Sequence, residues 1–323
     1  MLIHLILGAG NWGQGATDST PEFKAAVLKH KDLIKTIDTA ALYPLPAPGA
    51  SEKVIGELGY ARERFDVNTK ALFRMEGGCY NAKDVEESVV KSLGSLEVKK
   101  VNVLYAHAPD RKTPVAEQAR AFHEQFLKER IAALGVANLD AGMLGEWIKV
   151  ADEEGLVKPT VYQGQYNILC RAHEDSVMPI VRQNGMTFMA YSPLAGGFLS
   201  GIATFSSAPN LIGTRFEHTD NNMKFGPFYK YWYDKPSMHE AVKILKSKSE
   251  EFGIDLADIA IRWLVNHSEL KDGDGVIVGP DTVEELEKCV DAYKAGPLPG
   301  GLVEAIERLQ VIVREDAKVV VQF

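Results

Sequence analysis

Four side chains with complementary acid–base chemistry follow three successive apolar segments. Asp38 ends one segment, with Tyr43 shortly after it, Lys70 ends the next, and His107 directly follows the third. A tyrosine has an ordinary pKa of about 10 and is a poor proton donor at neutral pH. We expect the ammonium of Lys70 to lower that pKa, Asp38 to hold the lysine, and His107 to orient a bound carbonyl oxygen. The set suits hydride addition to an aldehyde or ketone, with Tyr43 protonating the developing alkoxide.

Taken singly, each of these residues has an ordinary structural role: in chain order, a turn cap, a rim aromatic, a solvated strand end and a loop histidine. Their joint occurrence at successive segment ends is what favours a shared function. They can act together only in a fold that brings the carboxyl ends of the three segments to one face.

Short β-branched segments alternate with segments of helical period along the chain. The predicted strands are Leu2–Leu7, Leu33–Asp38, Phe65–Lys70, Val101–Ala106, Ile131–Ala137, Thr160–Tyr166, Thr187–Tyr191 and Gly275–Gly279. The predicted helices are Pro21–His30, Ser51–Leu58, Asn81–Leu96, Pro114–Lys128, Asp140–Glu154, His173–Asn184, Ser237–Phe252, Leu256–Asn266, Thr282–Tyr293 and Gly301–Glu315.

Strands separated by single helices pair in parallel through right-handed crossovers. Eight such units predict a (β/α)8 TIM barrel with extra helices, forming one domain over residues 1–323. A doubly wound open sheet alternates in the same way, so the count alone leaves that fold open. The irregular stretch Ser192–Pro236, after the seventh strand, is predicted to be a long functional loop.

Composition excludes several classes of partner. Of 323 residues, 46% are hydrophobic, and 36 Lys and Arg against 44 Asp and Glu give a net charge of −8, which argues against nucleic-acid binding. The 3 cysteines (Cys79, Cys170 and Cys289) are far apart and predict no disulfide framework or metal site, which favours a reducing, cytoplasmic location. The apolar start Met1–Leu7 has no basic n-region of the kind that precedes a signal peptide, so we expect a strand there. No apolar run approaches the roughly 20 residues of a membrane span, so we expect no membrane partner.

Two motifs point to other dehydrogenase folds. Gly8–Gly13 matches the G-x-G-x-x-G dinucleotide fingerprint after a strand, with Asp38 as a candidate ribose acid. The fingerprint needs a helix to open at its third glycine, but the next predicted helix begins only at Pro21, so a glycine turn is favoured. Tyr231 and Lys235 match the Y-x-x-x-K pair of short-chain dehydrogenases, but they lie in the irregular stretch, which favours a chance match.

The joint pattern resembles the aldo-keto reductases over most of the chain. The matching motifs are Asp38-Thr39-Ala40-x-x-Tyr43, Asn68-Thr69-Lys70, Leu104-Tyr105-x-His107-Ala108-Pro109-Asp110, Gly135-Val136-Ala137-Asn138, Tyr162-Gln163-Gly164-Gln165-Tyr166-Asn167 and Ala190-Tyr191-Ser192-Pro193-Leu194-Ala195-Gly196-Gly197. The last of these, with Arg215-Phe216, looks most like the aflatoxin aldehyde reductase branch.

The resemblance implies a barrel that carries NADPH over its rim, with Tyr43 as proton donor. It implies that Asn138 and Gln163 hold the carboxamide of the cofactor and that Tyr191 stacks on the nicotinamide ring. Glycines in the segment after the seventh strand would let backbone N–H groups wrap the pyrophosphate. The implied cofactor-binding residues are Asp38, Asn138, Gln163, Tyr191, Ser192, Leu194, Gly196, Gly197, Gly201, Arg215, Gly279, Asp281, Glu285 and Cys289.

The sequence departs from the family at two places. Ala137 stands where the family usually has Ser, which removes a hydrogen bond to the carboxamide worth about 1 kcal/mol. Asp281, Glu285 and Cys289 stand at positions that grip the adenosine 2′-phosphate in relatives. Two carboxylates repel a phosphate dianion, and Arg215 is the residue that could compensate for them. NADP is the cofactor that the family implies. The competing hypothesis is that the preference for NADP is weakened, or reversed towards NAD.

The predicted substrate is a small-molecule carbonyl compound, bulky or aromatic. Its pocket is expected to include Trp12, Phe73, His107, Tyr229, Lys230, Tyr231 and Trp232. Lys230 falls where the resembled branch has an arginine and would attract an acidic group. Two other functions stay open, a cofactor-binding regulatory subunit like the potassium-channel β-subunits and a lyase or isomerase using Lys70 as a Schiff base. The branch also hints at a homodimer.

Overall fold

Eight parallel strands close into a barrel, in which each strand pairs with the next and the last pairs with the first. This is a computed structural model that describes residues 2–14, 20–217 and 226–321. The strands β1–β8 are His4–Gly8, Ile34–Asp38, Asp66–Lys70, Val101–Ala106, Ile131–Ala137, Val161–Gln165, Thr187–Tyr191 and Gly275–Val278. Each lies within two residues of its predicted bounds, and closure of the sheet confirms the barrel against the open-sheet alternative.

Helices surround the barrel and return the chain to its amino end after each strand. Helices α1–α12 are Pro21–Lys29, Ala50–Glu57, Ala82–Leu96, Val115–Leu127, Ala141–Glu154, Met178–Gln183, Ile202–Phe205, Gly226–Tyr233, Pro236–Phe252, Leu256–Asn266, Val283–Lys294 and Gly300–Ala317. None of the helices in the described ranges combines the length and apolar character that a membrane crossing requires.

Side-chain caps set several helix starts where the sequence places them. The side chains of Asn81 and Asp140 accept the N–H groups of Asp84 and Met143, and so cap α3 and α5. Helix α6 begins five residues later than predicted, at Met178 instead of His173. Pro179 has no N–H to donate to the preceding turn, so it is tolerated only in the first turn of this helix.

The stretch after β7 is less irregular than predicted. It contains the short helices α7 and α8 and two 3₁₀ helices, Ala195–Ser200 and Ala208–Leu211. Its aromatic residues explain the difference, since Tyr229 and Tyr233, one turn apart in α8, stack at 6.3 Å between ring centres. Residues 218–225 of the predicted loop lie outside the described residues.

The inside of the barrel is filled by a small, separate cluster of side chains. Val103, Tyr105 and Val161 are buried there, 5%, 0% and 8% exposed. Gly135 on β5 makes room for them, because a Cβ added to it would lie 2.3 Å from the ring of Tyr105. With the interior closed by packing, a ligand can bind only at the rim, where the loops after the strands leave a cleft.

Candidate active site

The carboxyl ends of β2, β3 and β4 bring the four predicted catalytic side chains to one rim. Asp38 and Lys70 are the last residues of β2 and β3, and His107 directly follows β4. Tyr43 lies in the β2–α2 loop with its ring edge-on to the imidazole of His107, 5.3 Å between ring centres. Asp38, Tyr43 and His107 line a cleft of about 1440 Å³, and Lys70 lies beneath its floor.

Lys70 and Asp38 form a buried ion pair. The ammonium donates to Oδ1 of Asp38 at 2.5 Å and to the carbonyl of Thr39 at 2.8 Å, and 1% of the lysine side chain is exposed. Burial lowers the pKa of Lys70, and the carboxylate of Asp38 opposes that shift. Because the amine is covered and already bound, it is not presented to the cleft as a Schiff-base nucleophile would be.

The tyrosine does not have the lowered pKa that the sequence led us to expect. Burial and the carboxylate of Asp38 raise the pKa of Tyr43. The ammonium of Lys70 is 5.2 Å from the centre of the Tyr43 ring, but Asp38 neutralises it at contact distance. The phenol therefore stays protonated across the physiological pH range.

His107 is neutral and faces the phenol. Its Nε2 is 3.3 Å from the hydroxyl of Tyr43, and burial together with Lys70 lowers its pKa to about 3. Its Nδ1 is buried and has no hydrogen-bond partner among the residues described. A proton on Nδ1 would be an unsatisfied buried donor, so the tautomer with the proton on Nε2 is favoured, and its N–H faces the cleft.

Three residues predicted to contact the nicotinamide lie together beside this group. Asn138 donates to the carbonyl of His107 and accepts from the hydroxyl of Tyr191, both at 2.9 Å. Gln163 donates to Oδ2 of Asp38 at 2.9 Å. Both amides are at least nine-tenths buried, line the cleft and keep unused donor and acceptor capacity, as a carboxamide partner requires.

The segment after β7 turns sharply along one wall of the cleft. Gly196 and Gly197 have φ of 67° and 100°, which glycine adopts without strain. A Cβ on Gly196 would lie 2.3 Å from the ring of Tyr229, whose hydroxyl is 2.6 Å from Oγ of Ser192. The wall residues here are Ser192, Leu194, Gly196, Gly197, Ser200 and Ile202. Gly201, predicted as part of this wall, is buried behind it instead, since its φ of 85° turns the chain away.

The far end of the cleft is formed where the sequence placed the adenosine site. Gly279, Asp281, Glu285 and Cys289 follow β8 and line this end together with Arg215. Burial raises the pKa of the Cys289 thiol to about 12, so it is uncharged. The predicted positions are therefore brought together, and both carboxylates face the cleft.

Two of the predicted substrate contacts are not among the residues that line the cleft. Trp12 is 1% exposed and packs against Phe23 and Tyr60, because the turn after β1 directs it under the rim into the outer core. Lys230 donates to the carbonyl of Glu217 at 2.5 Å and is absent from the cleft lining. The predicted contacts found in the lining are Phe73, His107, Tyr229, Tyr231 and Trp232.

Two residues that the sequence reasoning missed hold the site in shape. The hydroxyl of Tyr80, 0% exposed, accepts the N–H of His107 at 2.7 Å and so fixes the loop after β4. Asn11 bridges the cleft wall by donating to Asp281 at 3.1 Å. Asn11 follows β1, and a polar residue after a barrel strand is itself the signal that was available. No sequence signal pointed to Tyr80.

Comparison with known proteins agrees with this geometry. Residues 4–310 match the model of the Aldo/keto reductase family. The oxidoreductase sirO of Leptosphaeria maculans is 33% identical over 286 residues, which is 88% of this chain and 84% of that protein. Aflatoxin B1 aldehyde reductase member 2 of Mus musculus is 31% identical over 291 residues, 84% of this chain and 75% of that protein. The rim geometry and these similarities agree, and the chain belongs to the aldo/keto reductase family.

Proposed function

We propose that this chain reduces aldehydes or ketones to alcohols with a reduced nicotinamide dinucleotide, and that Tyr43 is the proton donor. The observation that carries the proposal is the 3.3 Å approach of the Tyr43 hydroxyl to Nε2 of His107 at the floor of the cleft. Two hydrogen-bonding groups that meet there can bind one carbonyl oxygen between them.

The cleft residues fit a nicotinamide dinucleotide. The amides of Asn138 and Gln163 have hydrogen-bonding capacity for a carboxamide, and Gly197 has no atom within 4 Å of where a Cβ would be, so a ligand can approach its backbone. When bound, the dihydronicotinamide supplies a hydride to the carbonyl carbon. NADPH is the donor that the family resemblance implies, and NADH is the donor that the acidic far end implies.

Side chains of the protein donate the proton and orient the oxygen that receives it. Tyr43 holds its proton until the carbonyl oxygen takes on alkoxide character, because an alkoxide is a stronger base than a phenolate. Loss of that proton leaves a phenolate, and the guanidinium of Arg215 is the cation that favours this charge, since Asp38 neutralises the ammonium of Lys70. His107 donates from Nε2 to the same oxygen and orients it without changing its own charge.

The substrate half of the cleft favours a bulky or aromatic carbonyl compound. Its walls include Phe73, Phe228, Tyr231 and Trp232, which supply large apolar faces. Tyr231 is 65% exposed at the mouth, so its ring is available to a substrate that extends out of the cleft. We expect aromatic aldehydes to have lower KM values than short aliphatic ones.

The test compares wild type with Tyr43→Phe, using absorbance of the reduced dinucleotide and a panel of aliphatic and aromatic aldehydes. We expect kcat to fall by roughly 10²–10⁴-fold in the variant. Dinucleotide binding, followed by tryptophan fluorescence, is expected to stay within about twofold, since the hydroxyl is assigned to the substrate oxygen. An active Tyr43→Phe enzyme would overturn the role of Tyr43, and a wild type that binds dinucleotide but reduces nothing would favour the regulatory alternative.

A further inference from the structure

The amino end of helix α11 already binds a carboxylate from the protein itself, that of Glu285. Oγ1 of Thr282 accepts the N–H of Glu285 at 3.2 Å, and Oε2 of Glu285 accepts the N–H of Asp281 at 2.8 Å. These reciprocal bonds use backbone donors that a helix amino end otherwise offers to a phosphate. Because Glu285 lines the cleft, its carboxylate occupies the region where a phosphate would have to bind.

Asp281 presents a second carboxylate beside it. Nδ2 of Asn11 donates to Oδ1 of Asp281 at 3.1 Å, which fixes this side chain across the end of the cleft. Asp281 still has lone pairs for further donors, and a carboxylate can only accept hydrogen bonds. Its natural partner is a pair of neighbouring hydroxyl groups, whereas a phosphate offers it only like charge.

Two cations among the described residues line this end of the cleft, and both already have partners. Lys288 forms an ion pair with Glu284 at 2.8 Å. The guanidinium of Arg215 lies 5.0 Å from the centre of the Tyr229 ring and approaches Oδ1 of Asn11 at 3.5 Å. Asp258 adds a third carboxylate to the lining. The charge balance of the described residues at this end therefore favours a ligand without an extra phosphate.

We propose that this end of the cleft selects a dinucleotide whose adenosine ribose keeps both hydroxyls, so that the hydride donor is NADH and not NADPH. Asp281 accepts the ribose hydroxyls, and Glu285 excludes a 2′-phosphate by occupying its place. This inference rests on the proposed function, because it assumes that the cleft binds a nicotinamide dinucleotide. It reverses the preference that the family resemblance implies.

The experiment is a titration of the full chain with NAD⁺ and NADP⁺, followed by isothermal calorimetry, so that binding is read without turnover. We expect NAD⁺ to bind at least about tenfold more tightly, equivalent to about 1.4 kcal/mol. Glu285→Gln is expected to raise the affinity for NADP⁺ about tenfold more than it raises the affinity for NAD⁺. Asp281→Asn is expected to weaken NAD⁺ by about five- to tenfold.

Glu287→Gln is the matched control, since Glu287 lies on the same helix, faces Lys29 and His30, and is absent from the cleft lining. It should change neither affinity. Tighter binding of NADP⁺ by wild type overturns the inference while leaving the proposed function intact. Equal gains for both dinucleotides in Glu285→Gln, or the same gain in Glu287→Gln, overturn the role of Glu285. A chain that binds neither dinucleotide contradicts the proposed function as well.

Discussion

Asp38 and Gln163 are joined by a 2.9 Å hydrogen bond between Oδ2 of the carboxylate and the amide of the glutamine. The other oxygen of Asp38 accepts the ammonium of Lys70 at 2.5 Å. One carboxylate therefore connects the ammonium that lies 5.2 Å from the ring of the proposed proton donor with an amide in the proposed nicotinamide region. Under the proposed mechanism, proton transfer and cofactor position both depend on Asp38, so a change at Gln163 should affect both.

Gln163→Leu removes the donor to Oδ2 of Asp38, which is 4% exposed. We expect a loss of about 1–3 kcal/mol in the free energy of unfolding, since a buried carboxylate oxygen is left without its partner. Dinucleotide binding should weaken in the same variant. Urea denaturation and calorimetric titration measure the two effects.

Gln165→Leu is the control for this variant, on the same strand. Gln165 is also buried, but the only hydrogen bond that its side chain makes among the described residues is a long one, 3.4 Å to the carbonyl of Val320, and its Oε1 has no partner there. Replacing it by leucine should leave stability within about 1 kcal/mol of wild type and dinucleotide binding unchanged. Equal effects at the two positions would contradict the role of the bond to Asp38.

His107 links stability to pH. Its pKa is lowered to about 3 in the folded protein, from an ordinary value of 6.5, because burial and Lys70 disfavour the imidazolium. The unfolded chain therefore binds more protons between these two pH values, so the contribution of neutral His107 is complete above pH 6.5 and declines as pH falls towards 3. Wild type should lose about 1.4 kcal/mol more per pH unit than His107→Gln over this window. Urea melts of both proteins from pH 7.5 down test this, and parallel pH profiles would refute it.

Much of the rim could be predicted from the sequence because strand ends are visible in it. Each apolar run that stops at a polar residue marks where the barrel opens, and Asp38, Lys70 and His107 all stand at such points. The fold class followed from the same alternation, although only closure between β8 and β1 distinguished a barrel from an open sheet.

The direction of a side chain after its strand could not be read from spacing. Trp12 follows β1 as a rim residue would, but the turn directs its side chain under the rim, against Phe23 in the outer core. The expectation that Lys70 lowers the pKa of Tyr43 was wrong for a related reason. Whether Lys70 lowers the pKa of the phenol depends on how closely Asp38 holds the ammonium, and a distance of 2.5 Å between them is set by packing.

Gly196→Ala tests the wall built by the segment after β7. An added Cβ would lie 2.3 Å from the Tyr229 ring, so the ring must move and its 2.6 Å contact with Ser192 is lost. Gly197→Ala is the matched variant, because φ is also positive there but no atom lies within 4 Å of the added Cβ. Both carry backbone strain, and Gly196→Ala should be destabilised by roughly 1–3 kcal/mol more in urea melts. Equal losses would show that Tyr229 does not depend on this close approach.

Replacing Asp274, at the amino end of the barrel, should lower stability without changing catalysis. It precedes β8, is 0% exposed, and accepts Arg182 at 2.8 Å and the N–H groups of Phe188 and Lys271 at 2.8 and 2.7 Å. Asp274→Ala removes the carboxylate from this buried site and leaves the donors of Arg182, Phe188 and Lys271 without their acceptor. We expect a loss of about 3–5 kcal/mol in the free energy of unfolding. Because this end lies opposite the cleft, kcat/KM per folded molecule should match wild type.

The comparison for Asp274 is Asp272→Ala, two residues earlier on the same turn. Asp272 is exposed and accepts the N–H of Leu2 at 2.6 Å, and a hydrogen bond made in solvent contributes little. Its replacement should therefore change stability by less than about 1 kcal/mol. Urea melts and steady-state rates, corrected for the folded fraction, measure both variants. A lowered kcat/KM in folded Asp274→Ala would mean that the amino end of the barrel influences the cleft, which its hydrogen bonds do not predict.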